Sequence, residues 1–295
     1  MNPLISVVIP SYNHAHFLTR ALASLQEQEY KNWEAIIIDN HSEDNTDDIV
    51  KQFADPRVSL IKIHNNGIIA ASRNKGIAAA KGEWIAFLDS DDWWTPAKLQ
   101  TVIKMMNDQT DLFYHDLAIV RETPSVLERD KVKSRQLQKP VFIDLLVNDN
   151  AISNSSVVVR KKLLNQIGLL DENPEMAGAE DYNAWLRIAR ITDNLIYIPE
   201  FLGFYQVHAQ GISRKDMTVC YRKAIEIFLP ELDMAQRNRI EATLFYMRGK
   251  HLYQHKNYVD ARKALRSAIK LGGMGIRIKS LCLLIIILLT ARSGN

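Results

Sequence analysis

The stretch Glu83–Lys98, EWIAFLDSDDWWTPAK, decides how this chain is read. Trp84 to Leu88 is a short apolar strand, and it ends abruptly in Asp89, Ser90, Asp91 and Asp92. Carboxylates crowded at a strand tip repel one another. At about 4 Å and an effective dielectric of about 20, each like-charged pair costs roughly 4 kcal/mol. A cation is therefore expected there in the working state. A hard divalent ion suits oxygen ligands and bridges phosphates. The plainer alternative is a solvated turn in which Asp92 caps the next helix, with Pro96 in that helix's first turn.

The residues before this stretch give it a frame. Ile5 to Pro10 (ISVVIP) and Trp33 to Ile38 (WEAIII) read as buried strands, and Val58 to Ile63 as a third. Helical spacing fills the gaps, over Phe17 to Gln28, Asp44 to Phe53 and the Ala-rich Ile68 to Ala80. Strands alternating with helices at this spacing predict an α/β protein with a mostly parallel, Rossmann-like sheet flanked by helices. Ligands of such sheets sit beyond the carboxyl ends of the strands. Three of those ends are polar: Ser11-Tyr12-Asn13, Asp39-Asn40, and Asp89 to Asp92. They are expected to converge on one crevice. The first strand is not followed by GxGxxG, and no GxxxxGK[ST] occurs, so no glycine loop grips a phosphate. A metal would have to do that work.

Beyond the acidic turn, a helix is expected over Pro96 to Met106 and a strand over Leu112 to Val120. Arg121 to Pro140 reads as a polar, basic surface loop or mobile segment, Val141 to Leu146 as a short helix, and Ser153 to Val159 as a strand. A helix then runs to Gly168, another starts at Ala179-Glu180-Asp181, and strands follow over Leu195 to Ile198 and Phe201 to Val207. After about Met217 the pattern is nearly all helical. The expected division is an α/β domain over 1–215 and a helical region over 216–295. Tyr258, Ala261, Ala264 and Ala268 stand where the second half of a tetratricopeptide repeat has small or aromatic residues. Stacking normally needs about three repeats, so both a packing hairpin and a partner-binding repeat fit.

The 295 residues are 47% hydrophobic and 24% charged, with a net charge of +3. That charge gives no argument for nucleic acid. Cys220 and Cys282 lie far apart with no metal-ligand spacing, so they read as free thiols in a reducing compartment. The N-terminus has no signal-peptide pattern. The apolar run Leu281 to Leu289 is shorter than the roughly 20 residues a spanning helix needs. A buried helix and an in-plane membrane helix both fit it.

Taken in order, these pieces resemble the family 2 glycosyltransferases, inverting enzymes with the GT-A fold. ISVVIPSYN is similar to the family's opening strand and loop, and EAIIIDNHSEDNT to its second strand end. GIIAASRNKGIAAAKGEWIAFLDSDD resembles the run into the metal-binding DxD. SSVVVRKKLLNQIGLLDE resembles the acceptor-side segment, AEDYNAWLRIA the helix with the catalytic carboxylate, and FYQVHAQGIS the closing histidine segment. The resemblance spans roughly residues 4 to 213.

It implies sugar transfer from a nucleotide diphosphate to a saccharide hydroxyl, with inversion. Asp91 becomes the metal ligand, for Mn²⁺ or Mg²⁺, with Asp89 supporting the nucleotide or the metal shell. His208 either completes that shell or is a surface histidine. Asp181 is the expected base, with Glu180 beside it; a pair of acids at a helix start could also serve the helix dipole. Pro10, Tyr12, Asn13, Asp39, Asn40, Asp89 and Ser90 are the expected nucleotide-sugar site. Asp39 can accept the uracil N–H while Tyr12 stacks on the ring. Asn40 departs from the family's commoner Asp, although an amide can still accept and donate. Arg73 either approaches the diphosphate or makes a surface salt bridge. Trp93 and Trp94 line the sugar crevice or pack in the core.

The same resemblance implies a UDP-sugar donor and a polyprenyl-diphosphate-linked acceptor in the assembly of surface polysaccharide of the O-antigen or capsule type. Arg277, Lys279 and Arg292 around the apolar run, with the basic helix upstream, suit the anionic inner-membrane surface. The expected place is thus cytoplasmic, docked on the inner leaflet by the C-terminus. The rival for the tail is packing on the domain or dimerisation. Rivals for the function are a sugar-phosphate nucleotidyltransferase, which would want a basic glycine-rich loop where SYNHAHF stands, and a non-catalytic scaffold.

Overall fold

The computed structural model describes residues 2–121, 131–132, 134–208, 211 and 215–292. The chain divides into two compact units, Met1–Phe142 with Ala151–Ala209, and Ile143–Asn150 with Gln210–Asn295.

The first unit opens with the alternation that the sequence predicts: β1 (Ile5–Ser11), α1 (Ala15–Gln26), β2 (Trp33–Asp39), α2 (Thr46–Phe53), β3 (Val58–Lys62), α3 (Ile69–Ala79) and β4 (Trp84–Phe87). Then come β5 (Trp93–Trp94), α4 (Lys98–Met105), β6 (Leu112–Arg121), β7 (Lys131–Val132), α5 (Val141–Val147, of which all but Val141 and Phe142 belong to the second unit), β8 (Val158–Arg160), α6 (Lys161–Gln166), α7 (Glu180–Ala189) and β9 (Leu195–Val207). The strand order is β3-β2-β1-β4-β8-β6-β9-β5, with β7 paired to β6. Strands β3, β2, β1 and β4 are parallel; β8 runs antiparallel to β4 and β6, β9 is parallel to β6, and β5 is antiparallel to β9. This mixed, mostly parallel sheet flanked by helices is the GT-A class of α/β fold.

The apolar strands are buried because helices cover both faces of a parallel sheet. Every residue of β1 is buried. Ile5, Val7 and Ile9 pack with Leu18, Leu22 and Leu25 of α1, and with Trp33, Trp84 and Phe113. Each such aliphatic side chain contributes about 1.5–3 kcal/mol on burial. On α3, a Cβ added at Gly76 would lie 2.4 Å from Cγ1 of Val8. Gly→Ala inside a helix normally gains about 1 kcal/mol, but this overlap reverses the sign. Gly76→Ala is expected to lose about 1–3 kcal/mol of stability. Adding Val8→Ala should recover part of the loss, and urea unfolding of the two variants measures both.

Four expectations are corrected. The Arg121 to Pro140 stretch is not all surface loop. β8 pairs with Leu112 and Phe113 of β6, and β7 pairs with Leu117 and Ala118, where the β6 edge would otherwise lack a partner. Leu137 is also buried, while residues 122–130 and 133 lie outside the described residues. Ser153 to Val159 is not one strand: Asn154–Ser156 is a 3-10 turn in which the Ser156 hydroxyl donates to Ser153 O, and β8 starts at Val158. The two strands around Pro199 are one. The pairing steps from Ile198 to Phe201 opposite His115 and Asp116, so the proline, which has no N–H to give, is carried in a bulge. The helix after the acidic turn starts at Lys98, with Pro96 before it.

The second unit includes α8 (Thr218–Ile225), α9 (Met234–Gln254), α10 (Tyr258–Leu271) and α11 (Met274–Arg292). Asp233 opens α9 with a capping box to Gln236, and Asn257 caps α10 through Asp260 N–H. Ala261, Ala264, Leu265 and Ala268 of α10 are buried, and Gly249 of α9 lets Leu265 approach; a Cβ there would lie 2.7 Å from Leu265 Cγ. The small residues read as a repeat signature thus close-pack a helical hairpin.

Candidate active site

The acidic turn sits at the end of β4 and its members face different ways. Asp92 is buried, and its Oδ1 accepts the Gln206 N–H of β9 at 2.9 Å. It does not cap α4, whose first turn has no side-chain cap. Burial, then the charges of Asp91 and Asp89, push its carboxyl well above the usual range. Asp92 is therefore an inward strut between the turn and β9. Asp91 points the other way, and its Oδ2 lies 2.9 Å from Nε2 of His208. Burial and the neighbouring Asp89 raise the Asp91 pKa, while the His208 hydrogen bond opposes the rise. Asp89 Oδ1 accepts from Arg73 Nη2 at 2.8 Å and from Asn154 Nδ2 at 3.0 Å.

His208 is 5% exposed, so the surface reading fails. Its ring packs on Phe17 (centroids 4.7 Å apart) and edge-on to His14 (5.8 Å), both at the start of α1. His14 Nδ1 in turn lies 2.8 Å from the buried Ser90 hydroxyl. Arg20, one α1 turn further on, donates to Asp91 O and Gln206 Oε1 and covers the Trp93 ring at 3.4 Å. His14 and Arg20 escaped the sequence reading. The only signal for His14 was the polar density of SYNHAHF next to a strand end, and Arg20 reads as an ordinary helix residue.

The three polar strand ends do meet. Asn13 takes a left-handed φ of 52°; its N–H donates to Ser42 Oγ and its side-chain oxygen accepts the Glu43 N–H. Ser42 in turn donates its N–H and its hydroxyl to Asp39, which is fully buried at the end of β2. Asn40 accepts the Asn65 N–H, so its oxygen is engaged in the loop before α3. Tyr12 is 52% exposed beside them, and Pro10 is buried inside β1. Of the tryptophans, Trp94 is core: it is 2% exposed and its indole N–H donates to Ser155 O at 2.8 Å. Trp93 is partly exposed and stacked on Phe204.

Across the turn stands the first residue pair of α7. Glu180 is buried; one carboxylate oxygen pairs with Arg73 Nη1 and the other accepts the Gly178 N–H at 2.6 Å. Arg73 is 3% exposed, which removes the surface salt-bridge reading. It holds Asp89 with one nitrogen and Glu180 with the other. Burial works against its charge, but Asp89, Glu180 and Asp181 outweigh that and raise its pKa. Asp181 is partly exposed, and Tyr182 N–H donates to its Oδ1 at 2.7 Å. Burial and then Glu180 push the Asp181 carboxyl up to about 7, against the pull of Arg73. A carboxylate poised near neutrality suits proton acceptance.

Among the described residues, no three His, Cys, Asp or Glu side chains are grouped to hold an ion by themselves. Asp91 and His208 offer one carboxylate and one imidazole, and Asp91 keeps 21% of its side chain exposed. That set fits a Mn²⁺ or Mg²⁺ ion that retains waters and takes substrate phosphates.

A GT-A sheet with an acidic turn at the β4 end, linked through Arg73 to the carboxylates of α7, accords with a glycosyltransferase. The chain belongs to glycosyl transferase family 2, whose model matches residues 6–168. Asp181 and His208 lie beyond that match. A UDP-Glc:alpha-D-GlcNAc-diphosphoundecaprenol beta-1,3-glucosyltransferase of Escherichia coli, WfgD, is 34% identical over 188 residues, 63% of this chain and 70% of the relative. A second E. coli enzyme of the same description, WfaP, is 29% identical over 268 residues, 88% of this chain and 99% of the relative. The fold is also that of S. aureus TarS with UDP-GlcNAc (TM-score 0.64, 18% identity, 99% of this chain and 92% of that one). It is shared too by the Pyrobaculum calidifontis mannosyltransferase PcManGT with GDP-Man and Mn²⁺ (TM-score 0.65, 17% identity, 98% and 81%).

Proposed function

We propose that this glycosyltransferase moves a sugar from a UDP-sugar to a hydroxyl of a polyprenyl-diphosphate-linked saccharide, with inversion and with a divalent ion. The observation that carries the reading is that Arg73 ties Asp89, of the turn that pairs Asp91 with His208, to Glu180, the neighbour of the raised Asp181 carboxyl. A bound Mn²⁺ or Mg²⁺ supplies charge neutralisation for the leaving diphosphate. Asp91 and His208 would hold it, and Asp89, fixed by Arg73 and Asn154, flanks the nucleotide.

Tyr12 is the stacking face for the uracil, and Asp39, fully buried and held by Ser42, accepts the uracil N–H once the Ser42 turn opens to admit the base. The acceptor hydroxyl gives its proton to Asp181 as its oxygen bonds to the anomeric carbon, and the bond from that carbon to the phosphate oxygen breaks. One displacement inverts the centre and leaves no covalent enzyme intermediate. The relatives named for diphosphoundecaprenol acceptors support the lipid-linked acceptor and a role in surface polysaccharide assembly. Such an acceptor would bring the chain to the cytoplasmic face of the inner membrane, where the basic, apolar C-terminus docks.

UDP release measured over a panel of UDP-sugars, with Mn²⁺, Mg²⁺ or EDTA, tests the reading. Release from one or a few donors is expected, lost in EDTA and lost at least a hundredfold in Asp91→Ala, in line with the usual weight of a metal's electrostatic role. Wild-type turnover in EDTA would overturn the metal's part in it.

A further inference from the structure

The helix α11 has two apolar faces, and only one of them is used. Ile287 is fully buried against Ala261 and Leu265 of α10, with Leu283 and Leu284 packed around them. Ser280 lies on that same inward side and is also fully buried. The opposite side carries Met274, Ile278, Leu281, Ile285, Leu288 and Leu289, each between 49% and 74% exposed. Steps of four and three place the first five on one stripe, and Leu289 widens it to an arc of roughly 100°. Among the described residues, no helix is long and apolar enough to cross a membrane. With its inner side packed on its own unit, α11 can meet an apolar phase only side-on.

Charge identifies the phase. Residues 256–292 hold eight Lys or Arg and one acid, Asp260, whereas the rest of the chain holds 29 Lys or Arg against 33 Asp or Glu. Asp260 is already paired with Lys263. Arg277 and Lys279 flank the apolar arc and are exposed, as are Arg266 and Lys270 on α10, and α11 contains no acid at all. An otherwise acidic chain therefore concentrates its positive charge around its largest row of exposed aliphatic side chains. A second copy of the chain would bring cations against cations, with no acid on either α11. An anionic bilayer answers both features, because acyl chains take the arc and headgroups take the flanks.

We infer that the outward face of α11 lies in the plane of an anionic membrane, with Ile278, Leu281, Ile285 and Leu288 as its apolar contacts and Arg277 and Lys279 as its headgroup contacts. This rests on the proposed lipid-linked acceptor for its purpose and deepens that reading by naming the surface.

Flotation of the full chain with vesicles of phosphatidylcholine, alone or mixed with phosphatidylglycerol, tests it. The wild type should float with the anionic vesicles, less so in high salt. Ile285→Glu should weaken partition roughly tenfold or more, and Arg277→Glu with Lys279→Glu should weaken it about tenfold on anionic vesicles only. These side chains are exposed, and Arg277 gives up only its hydrogen bond to Ile269 O, so the variants should stay close to the wild-type melting temperature and keep the UDP release measured without vesicles. A wild type that stays in the soluble fraction overturns the inference, and so do variants that float like it. Light scattering that shows a dimer which Ile285→Glu splits, with flotation unchanged, would assign the face to a second copy. If the wild type floats but releases no UDP from any donor, the proposed function fails and the docking surface stands.

Discussion

Asp181→Asn is expected to lower the turnover of sugar transfer by about two to four orders of magnitude, the usual weight of a positioned base. The asparagine keeps the shape of the side chain, and its amide oxygen can still accept the Tyr182 N–H. What it loses is proton acceptance. Donor affinity should change little, because the proposed nucleotide side lies at the ends of β1, β2 and β4 and not on α7. In the wild type, turnover should rise with pH through a midpoint near 7. The sign follows from the chemistry: a base works deprotonated, and burial with Glu180 beside it holds the Asp181 carboxyl at about 7. An unperturbed Asp would give a limb near pH 3.9 and a flat profile at neutrality. Single-turnover rates from pH 5 to 9, with nucleotide affinity followed separately, make the measurement. A flat profile, or an Asp181→Asn variant with wild-type turnover, would remove Asp181 from the chemistry.

Much of the fold and the meeting of the polar strand ends is legible in the sequence, for identifiable reasons. The runs ISVVIP, WEAIII and WIAFL can be little else than buried strands, and their polar ends mark where a parallel sheet presents its ligands. The order of motifs then placed Asp91, Asp181 and His208 in roles, and the structure brings Asp91 and His208 into contact. What the sequence could not show was direction within the acidic turn. Asp89, Asp91 and Asp92 look equivalent in a string; only β9 running past the turn, with its Gln206 N–H, draws Asp92 inward. Lys98 is a second case. A lysine in the first turn of a helix reads as solvent-exposed, yet it is fully buried with its ammonium 3.3 Å from the Trp94 ring centroid, and burial pulls its pKa well down. The tail is a third. An apolar run such as LCLLIIILL has no polar side, so its pattern cannot tell a packed face from a free one. Only α10 lying against one side of α11 separates them.

Arg73 is the residue whose importance grew most, and its removal is expected to have the second large effect. It lies 16 residues before Asp89 and 107 before Glu180, and it bonds both. In Arg73→Met the buried Glu180 loses its cation and Asp89 loses one of its two donors, leaving Asn154. Breaking a buried pair by deleting one partner costs roughly 3–5 kcal/mol, because the remaining charge is stranded. Arg73→Lys should fall between, since an ammonium cannot present two nitrogens in the fork that spans both carboxylates. A drop in the urea midpoint alone would fit any core defect, so the pH profile carries the discrimination. Arg73 pulls the Asp181 pKa down and Glu180 pushes it up. In Arg73→Met the rising limb of turnover should therefore move above the wild-type midpoint, and in Glu180→Gln it should move below. Opposite shifts from two variants that both weaken the same ion pair are not the result of loosened packing. Shifts in the same direction, or none, would mean that Arg73 holds α3, β4 and α7 together without tuning the base.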